Sequence, residues 1–201
     1  MTMTCIYQPE AQPGVQLYDK YNQRLYLNAA ERTRFIEAAR RSSPDKRSFA
    51  LTLIYTGCRL SEARALMGHS LQREARIISI RSLKKRDRHV MREVPIPPEL
   101  VKEMAARNTP PDALIWHQNG HMLPRITAYR WIKHLMQDAR IEGAQACPKG
   151  LRHGYGVNAT LNGVQLHMLQ RWMGHASIRT TAIYATVLGP DQLKLADQMW
   201  S

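Results

Sequence analysis

One switch of hydrophobic period limits what this chain can become. Along most of its length, apolar residues recur at helical spacing, in segments stopped by glycine or proline. Only around Arg76-Ile77-Ile78-Ser79-Ile80-Arg81 and Arg92-Glu93-Val94-Pro95-Ile96 does the pattern change to that of strands. Between them lies Lys84-Lys85-Arg86-Asp87-Arg88-His89, a basic hairpin. The expected fold is α+β and mainly α-helical, with one small antiparallel sheet carrying that hairpin. Ala113-Leu114-Ile115-Trp116 is a candidate third strand.

The helical segments follow from their stops. A first helix begins near Asn28 and is broken at Ser42-Ser43-Pro44-Asp45. Phe49 to Thr56 forms an apolar helix that Gly57 ends, and the next runs from a Ser61 cap to Gly68. Glu99 to Arg107 is a short helix after the prolines at 95, 97 and 98. Thr127 caps a helix ending at Gly143, with Trp131 or Ile132 and Leu135 inward. Three more follow: Gly150 to about Asn162, Gln165 to Met173, and Thr180 to Leu188. Residues 1–26 read as an irregular extension, in which two short strands flank a turn at Asp19 to Gln23. Residues 189–201 read as a tail, with Leu193, Leu195, Met199 and Trp200 suited to docking a partner.

Composition narrows the function classes. The 201 residues are 44% hydrophobic, enough for one real core. With 29 Lys and Arg against 16 acidic residues, the net charge of +13 favours an anionic partner. The basic residues are spread through the sequence, which suits a folded nucleic-acid surface better than a basic arm. No stretch approaches the ~20 apolar residues that cross a bilayer. Cys5, Cys58 and Cys147 have no metal-ligand pairing and read as reduced thiols in a cytoplasm.

Four side chains stand in marked settings. They are Arg59 in Thr-Gly-Cys-Arg-Leu-Ser-Glu, Arg152 in Lys-Gly-Leu-Arg-His-Gly, His175 in Trp-Met-Gly-His, and Tyr184 after Thr180-Thr181. Phosphodiester transfer needs a nucleophile, cations on the non-bridging oxygens, and an acid for the leaving oxygen. Arginine suits the cationic role, because its planar fork stays charged and grips phosphate at two points. No Asp, Glu or His cluster has metal-site spacing, so a mechanism without metal or other cofactor is the natural one.

These boxes, in this order with the basic hairpin between the first two, resemble the catalytic domain of the tyrosine recombinases, or phage integrases. The resemblance covers about residues 27–188. It implies site-specific recombination of double-stranded DNA through a 3′-phosphotyrosine, by a homotetramer on two DNA sites. Arg59 and Arg152 would clamp the scissile phosphate. Tyr184 would attack it, and His175 would support the pentacoordinate state. The family's hairpin lysine protonates the departing 5′ oxygen. Lys84 or Lys85 fills that position here, Lys84 being favoured because it follows the strand directly after Leu83. Glu62 matches an acidic position that steadies the site.

One position departs from the pattern. Most members have histidine three residues before the second arginine, where this chain has Lys149. Lysine donates to phosphate but is a poor base unless its pKa falls. His153 reads as a buried hydrogen-bonding partner rather than a catalyst, and Tyr155 as core. Most members also carry an N-terminal helical domain that closes around DNA, whereas about 26 residues precede the catalytic region here. Lys149 and that difference keep one alternative open, a regulator that binds DNA without cutting it; a second is an enzyme like a type IB topoisomerase, which shares the family's chemistry and much of its fold.

Overall fold

A computed structural model of the chain describes residues 16–82, 90–186, 197 and 200. Helix α1 spans Ala29–Arg41. Asn28 caps it by accepting from the Glu31 N–H at 2.8 Å, and the Glu31 carboxylate returns to the Asn28 N–H at 3.0 Å. Before α1, the turn expected at Asp19 to Gln23 is present, but among the described residues it is flanked by the isolated antiparallel bridge of Tyr18 and Arg24 rather than by two strands.

Helix α2, Pro44–Thr56, starts five residues earlier than its apolar run because Pro44 at its first turn is already set for helix. Nearly every α2 side chain from Ser48 to Thr56 is buried, so the helix forms the spine of the core. It stops where Gly57 turns left-handed at φ 60°. Helix α3 covers only Leu60–Arg64. Arg59, not Ser61, is its cap residue, because Glu62 reaches back to the Arg59 N–H. It also ends before Gly68. Leu66 and Gly68 spend their main-chain groups on Ile115 and Ala113 instead.

Those bonds explain a second difference. Ala113–Trp116 is not the third strand of the sheet; among the described residues it offers only the bridge from Leu114 to Met67. The third strand is β1, Leu71–Gln72, which pairs with β2, Ile77–Arg81; β2 in turn pairs with β3, Met91–Pro95, all antiparallel. The register sets Ile78 opposite Val94 and Ile80 opposite Arg92. Ile78, Ile80 and Val94 point into the core, and so does Arg92.

Helix α4, Pro98–Ala105, packs against α2. A small hairpin of β4, His117–Gln118, and β5, His121–Met122, turns at Asn119-Gly120, both at positive φ. Helix α5, Arg125–Asp138, starts two residues before Thr127 and ends well short of Gly143; Ile132 is its inward residue. Helices α6 (Pro148–Leu161), α7 (Leu166–Met173) and α8 (Ile178–Ala182) follow, and a 3₁₀ turn at Ile183–Thr186 carries Tyr184. No helix among the described residues is long and apolar enough to cross a membrane.

Two apolar clusters result. The larger gathers Phe35, Phe49, Ile54, Ile78 and Trp116 around α2. The smaller joins Leu17, Tyr26, Val157, Leu169 and Met173, and it includes Tyr184. The proposed nucleophile is therefore also a core residue.

Candidate active site

Arg59 sits on the turn between α2 and α3, where Gly57 reverses the chain. Its Nη1 donates to Glu62 Oε1 at 2.9 Å, and its side chain remains 25% exposed. Arg152, in the first half of α6, donates from Nη1 to the Gly57 carbonyl at 2.6 Å and from Nη2 to the Met173 carbonyl at 2.7 Å. It ties the Gly57 turn to the end of α7. No described carboxylate lies within ion-pair distance of it. Burial pushes its pKa down to about 10, and the like charge of Arg59 adds to that. Two neighbouring guanidinium groups, one without a counter-charge, make a site that favours an anion.

His175 follows the left-handed Gly174 that ends α7. Its N–H donates to the Gln170 carbonyl, and its Nδ1 lies 3.0 Å from Thr181 Oγ1. Burial, with Arg152 and Arg59 next, lowers its pKa to about 3, so the ring is neutral at pH 7. It stacks on the Tyr184 ring, centroids 6.2 Å apart and planes 17° from parallel.

Tyr184 is 1% exposed. Its hydroxyl lies 3.2 Å from His153 Nδ1. Its ring fills the space above Gly156, where a Cβ would stand 2.5 Å from Cζ. Burial raises the phenol to about 12, against the opposing pull of Arg152 and Arg59. His153 is buried too; burial lowers it to about 4, with Lys149 and Arg152 contributing. Its Nε2 has no hydrogen-bond partner among the described residues.

Arg59, Arg152, His175 and Tyr184 are thus brought together. Lys149 stands exposed on the first turn of α6 and makes no hydrogen bond to a described residue, though its charge reaches His153. Lys84 and Lys85 lie outside the described residues. No group of His, Cys, Asp or Glu able to hold a metal occurs among the described residues.

Glu62 is held from both sides: Arg59 on one, and Arg92 on the other at 2.6 Å. Burial alone would push its carboxyl up. The hydrogen bond and charge of Arg92, with the N–H and charge of Arg59, outweigh that and keep it below the ordinary range. Sequence reasoning missed Arg92. The available signal was alternation: counting back by two from Val94 puts Arg92 on the inward face. It also missed Gly156, whose place in a helix hides its service to the Tyr184 ring.

The model of the Phage integrase family matches residues 25–189. Among curated relatives, tyrosine recombinase XerD of Brucella abortus biovar 1 (strain 9-941) is 30% identical over 177 residues, covering 81% of this chain and 57% of that protein. The chain therefore spans little more than half the length of such a relative. Among solved structures, the XerA recombinase superposes with a TM-score of 0.75 at 27% identity, over 88% of this chain and 65% of that one. The catalytic domain of bacteriophage HP1 integrase gives a TM-score of 0.62 at 24% identity, over 86% of this chain and 93% of that domain. With the match running from the loop before α1 to just past Tyr184, this chain belongs to the phage integrase family, the tyrosine recombinases.

Proposed function

We propose that the chain cleaves and rejoins double-stranded DNA through a 3′-phosphotyrosine. The observation that best supports this is Arg152, a half-buried cation whose described hydrogen-bond partners are two main-chain carbonyls, beside Arg59 and the Tyr184 phenol. A scissile phosphate supplies the missing negative charge. Arg59 and Arg152 take its non-bridging oxygens, and neutral His175 hydrogen-bonds the same group. The Tyr184 oxygen then bonds to phosphorus as the P–O5′ bond breaks. Lys84 gives its proton to the departing 5′ oxygen. Lys149 acts as a hydrogen-bond donor to the phosphate.

Tyr184 cannot do this from its seat. A phenol that is 1% exposed, neutral and bonded to His153 does not reach a bound duplex. Cleavage therefore includes release of the 3₁₀ turn at Ile183–Thr186 from α6. Rejoining reverses the attack with the bond energy kept in the phosphotyrosine, so no nucleotide cofactor enters. Exchange between two duplexes takes four copies of the chain, working in the cytoplasm; Trp200, 74% exposed, is suited to contacts between them.

Nicked duplexes carrying inverted repeats, sought in the DNA beside the coding sequence, would trap the intermediate. The expected product is a covalent protein–DNA adduct that survives detergent and maps to Tyr184. Tyr184→Phe should bind the same DNA and give no adduct. An adduct from the Phe variant would assign the nucleophile elsewhere, and DNA binding without any wild-type adduct would remove the cleavage reading.

A further inference from the structure

Arg92 occupies an inward position on β3 that strand alternation reserves for an apolar side chain. It is 8% exposed, on the same face as Val94. A charge there is costly unless every donor is satisfied, and here each direction of the fork is used. Nη2 donates to Glu62 Oε2 at 2.6 Å and Nη1 to Glu62 Oε1 at 3.3 Å. Nε, on the other edge, donates to the Trp172 carbonyl at 2.8 Å.

Both ends of this fork lead to the candidate site. The Glu62 oxygens that receive Arg92 also receive Arg59, Oε1 from its Nη1 at 2.9 Å and Oε2 from its N–H at 2.8 Å. At the other end, Trp172 and Met173 lie just before the turn that presents His175. The Trp172 carbonyl is held by Arg92 and the Met173 carbonyl by Arg152. Gly174 rests against the Arg92 side chain so closely that a Cβ there would lie 3.1–3.2 Å from its Cδ, Cζ and Nε.

We propose that Arg92 is a positioning residue for the cleavage reaction, fixing the Arg59 guanidinium and the His175 turn in one frame. This rests on the cleavage function proposed above. Arg92 touches no substrate; its donors are spent on Glu62 and Trp172. Lysine cannot replace it, since a single ammonium cannot grip a carboxylate at two points and a carbonyl behind it at once.

The test is single-turnover cleavage of nicked duplex by wild type, Arg92→Lys, Arg59→Ala and the double variant, with DNA affinity measured alongside. Misplacing a catalytic group by about 1 Å costs on the order of 100-fold in rate. Arg92→Lys should therefore lose roughly 10–100-fold in rate at saturating DNA, with affinity within about threefold of wild type. In the Arg59→Ala background the same change should cost clearly less than in wild type, because one of the two groups it holds is already gone. Full, multiplicative losses in both backgrounds would make Arg92 a stability residue and overturn the proposal, as would near-normal cleavage by Arg92→Lys. If Arg92→Lys does not fold, Glu62→Gln cuts the same link and should give the same pattern. Melting temperature in millimolar inorganic phosphate separates the two readings. Phosphate should raise it in wild type, and less in both Arg59→Ala and Arg92→Lys. No wild-type adduct with this phosphate pattern intact would defeat the cleavage reading alone. A phosphate shift unchanged in Arg92→Lys would defeat the positioning role.

Discussion

Replacing Gly156 with alanine puts a methyl carbon into the seat of the Tyr184 ring. The new carbon would lie 2.5 Å from Cζ and 2.6 Å from Cε1 and Cε2, all in the outer half of the ring. Ordinary contact between carbons is about 3.5–4 Å, so the ring must retreat by roughly 1 Å. That retreat breaks the 3.2 Å contact between the Tyr184 hydroxyl and His153. Overpacking costs about 1–3 kcal/mol, and the lost hydrogen bond adds about 1 kcal/mol. Against this, alanine favours the helix by about 1 kcal/mol over glycine. The net is a destabilisation of about 1–3 kcal/mol, or roughly 2–12 °C in melting temperature for a chain of this size. The decisive comparison is the same change in Tyr184→Ala. With the ring gone the obstacle is gone, and only the helix term survives, so Gly156→Ala should become stabilising by about 1 kcal/mol. Urea unfolding of the four proteins reads both effects. Equal destabilisation in the two backgrounds would refute a seat built for the ring.

Arg59→Ala and Arg152→Ala should each slow adduct formation by about 10²–10³, the value of a charge-stabilising donor; near-normal cleavage would remove that arginine from the site. Lys84→Ala should fail on ordinary DNA and recover when sulfur replaces the bridging 5′ oxygen, since a thiolate leaves without an acid. The same rescue seen only in Lys85→Ala would move the acid by one residue. Lys149→His should keep most cleavage activity and Lys149→Ala should lose much of it; a wild-type rise in rate between pH 6 and roughly pH 9 that vanishes in Lys149→His would make Lys149 a base. Burial lowers His153 to about 4 and His175 to about 3, from 6.5. As pH falls below about 6.5 the unfolded chain gains protons that the folded chain refuses. The stability from these neutral rings is complete above that pH and drains away towards pH 3. Melting temperature should fall over that window, and less steeply in His153→Gln; an unchanged slope would mean His153 titrates as in water.

Local signals in the sequence were sound where one residue decides the backbone. Asn28 opens α1, and Gly57 and Gly174 end α2 and α7 in left-handed turns. These stops set Arg59 and His175 at helix ends, which is why the candidate site could be outlined from sequence. Tertiary bonds defeated the rest. Leu66 and Gly68 have helix-compatible neighbours, yet their main-chain partners lie near Ile115, far along the chain. That pairing shortens α3 and keeps Ala113–Trp116 out of the sheet. Arg92 escaped because a charged residue in a short strand reads as solvent-facing until its partner Glu62 is located. The box around Tyr184 points to chemistry, but its packing role depends on a glycine in another helix.

The way Arg152 is held bears on how such a chain can change. Its guanidinium is anchored by the main-chain oxygens of Gly57 and Met173. Every amino acid supplies the same carbonyl, so those contacts impose no requirement on neighbouring side chains. The demand falls on backbone shape instead, on the left-handed turn at Gly57 and the end of α7. Substitutions that preserve those two bends leave this arginine where it is. A relative only 30% identical can therefore share this arrangement, and drift in the surrounding sequence is buffered by the least variable part of the polymer.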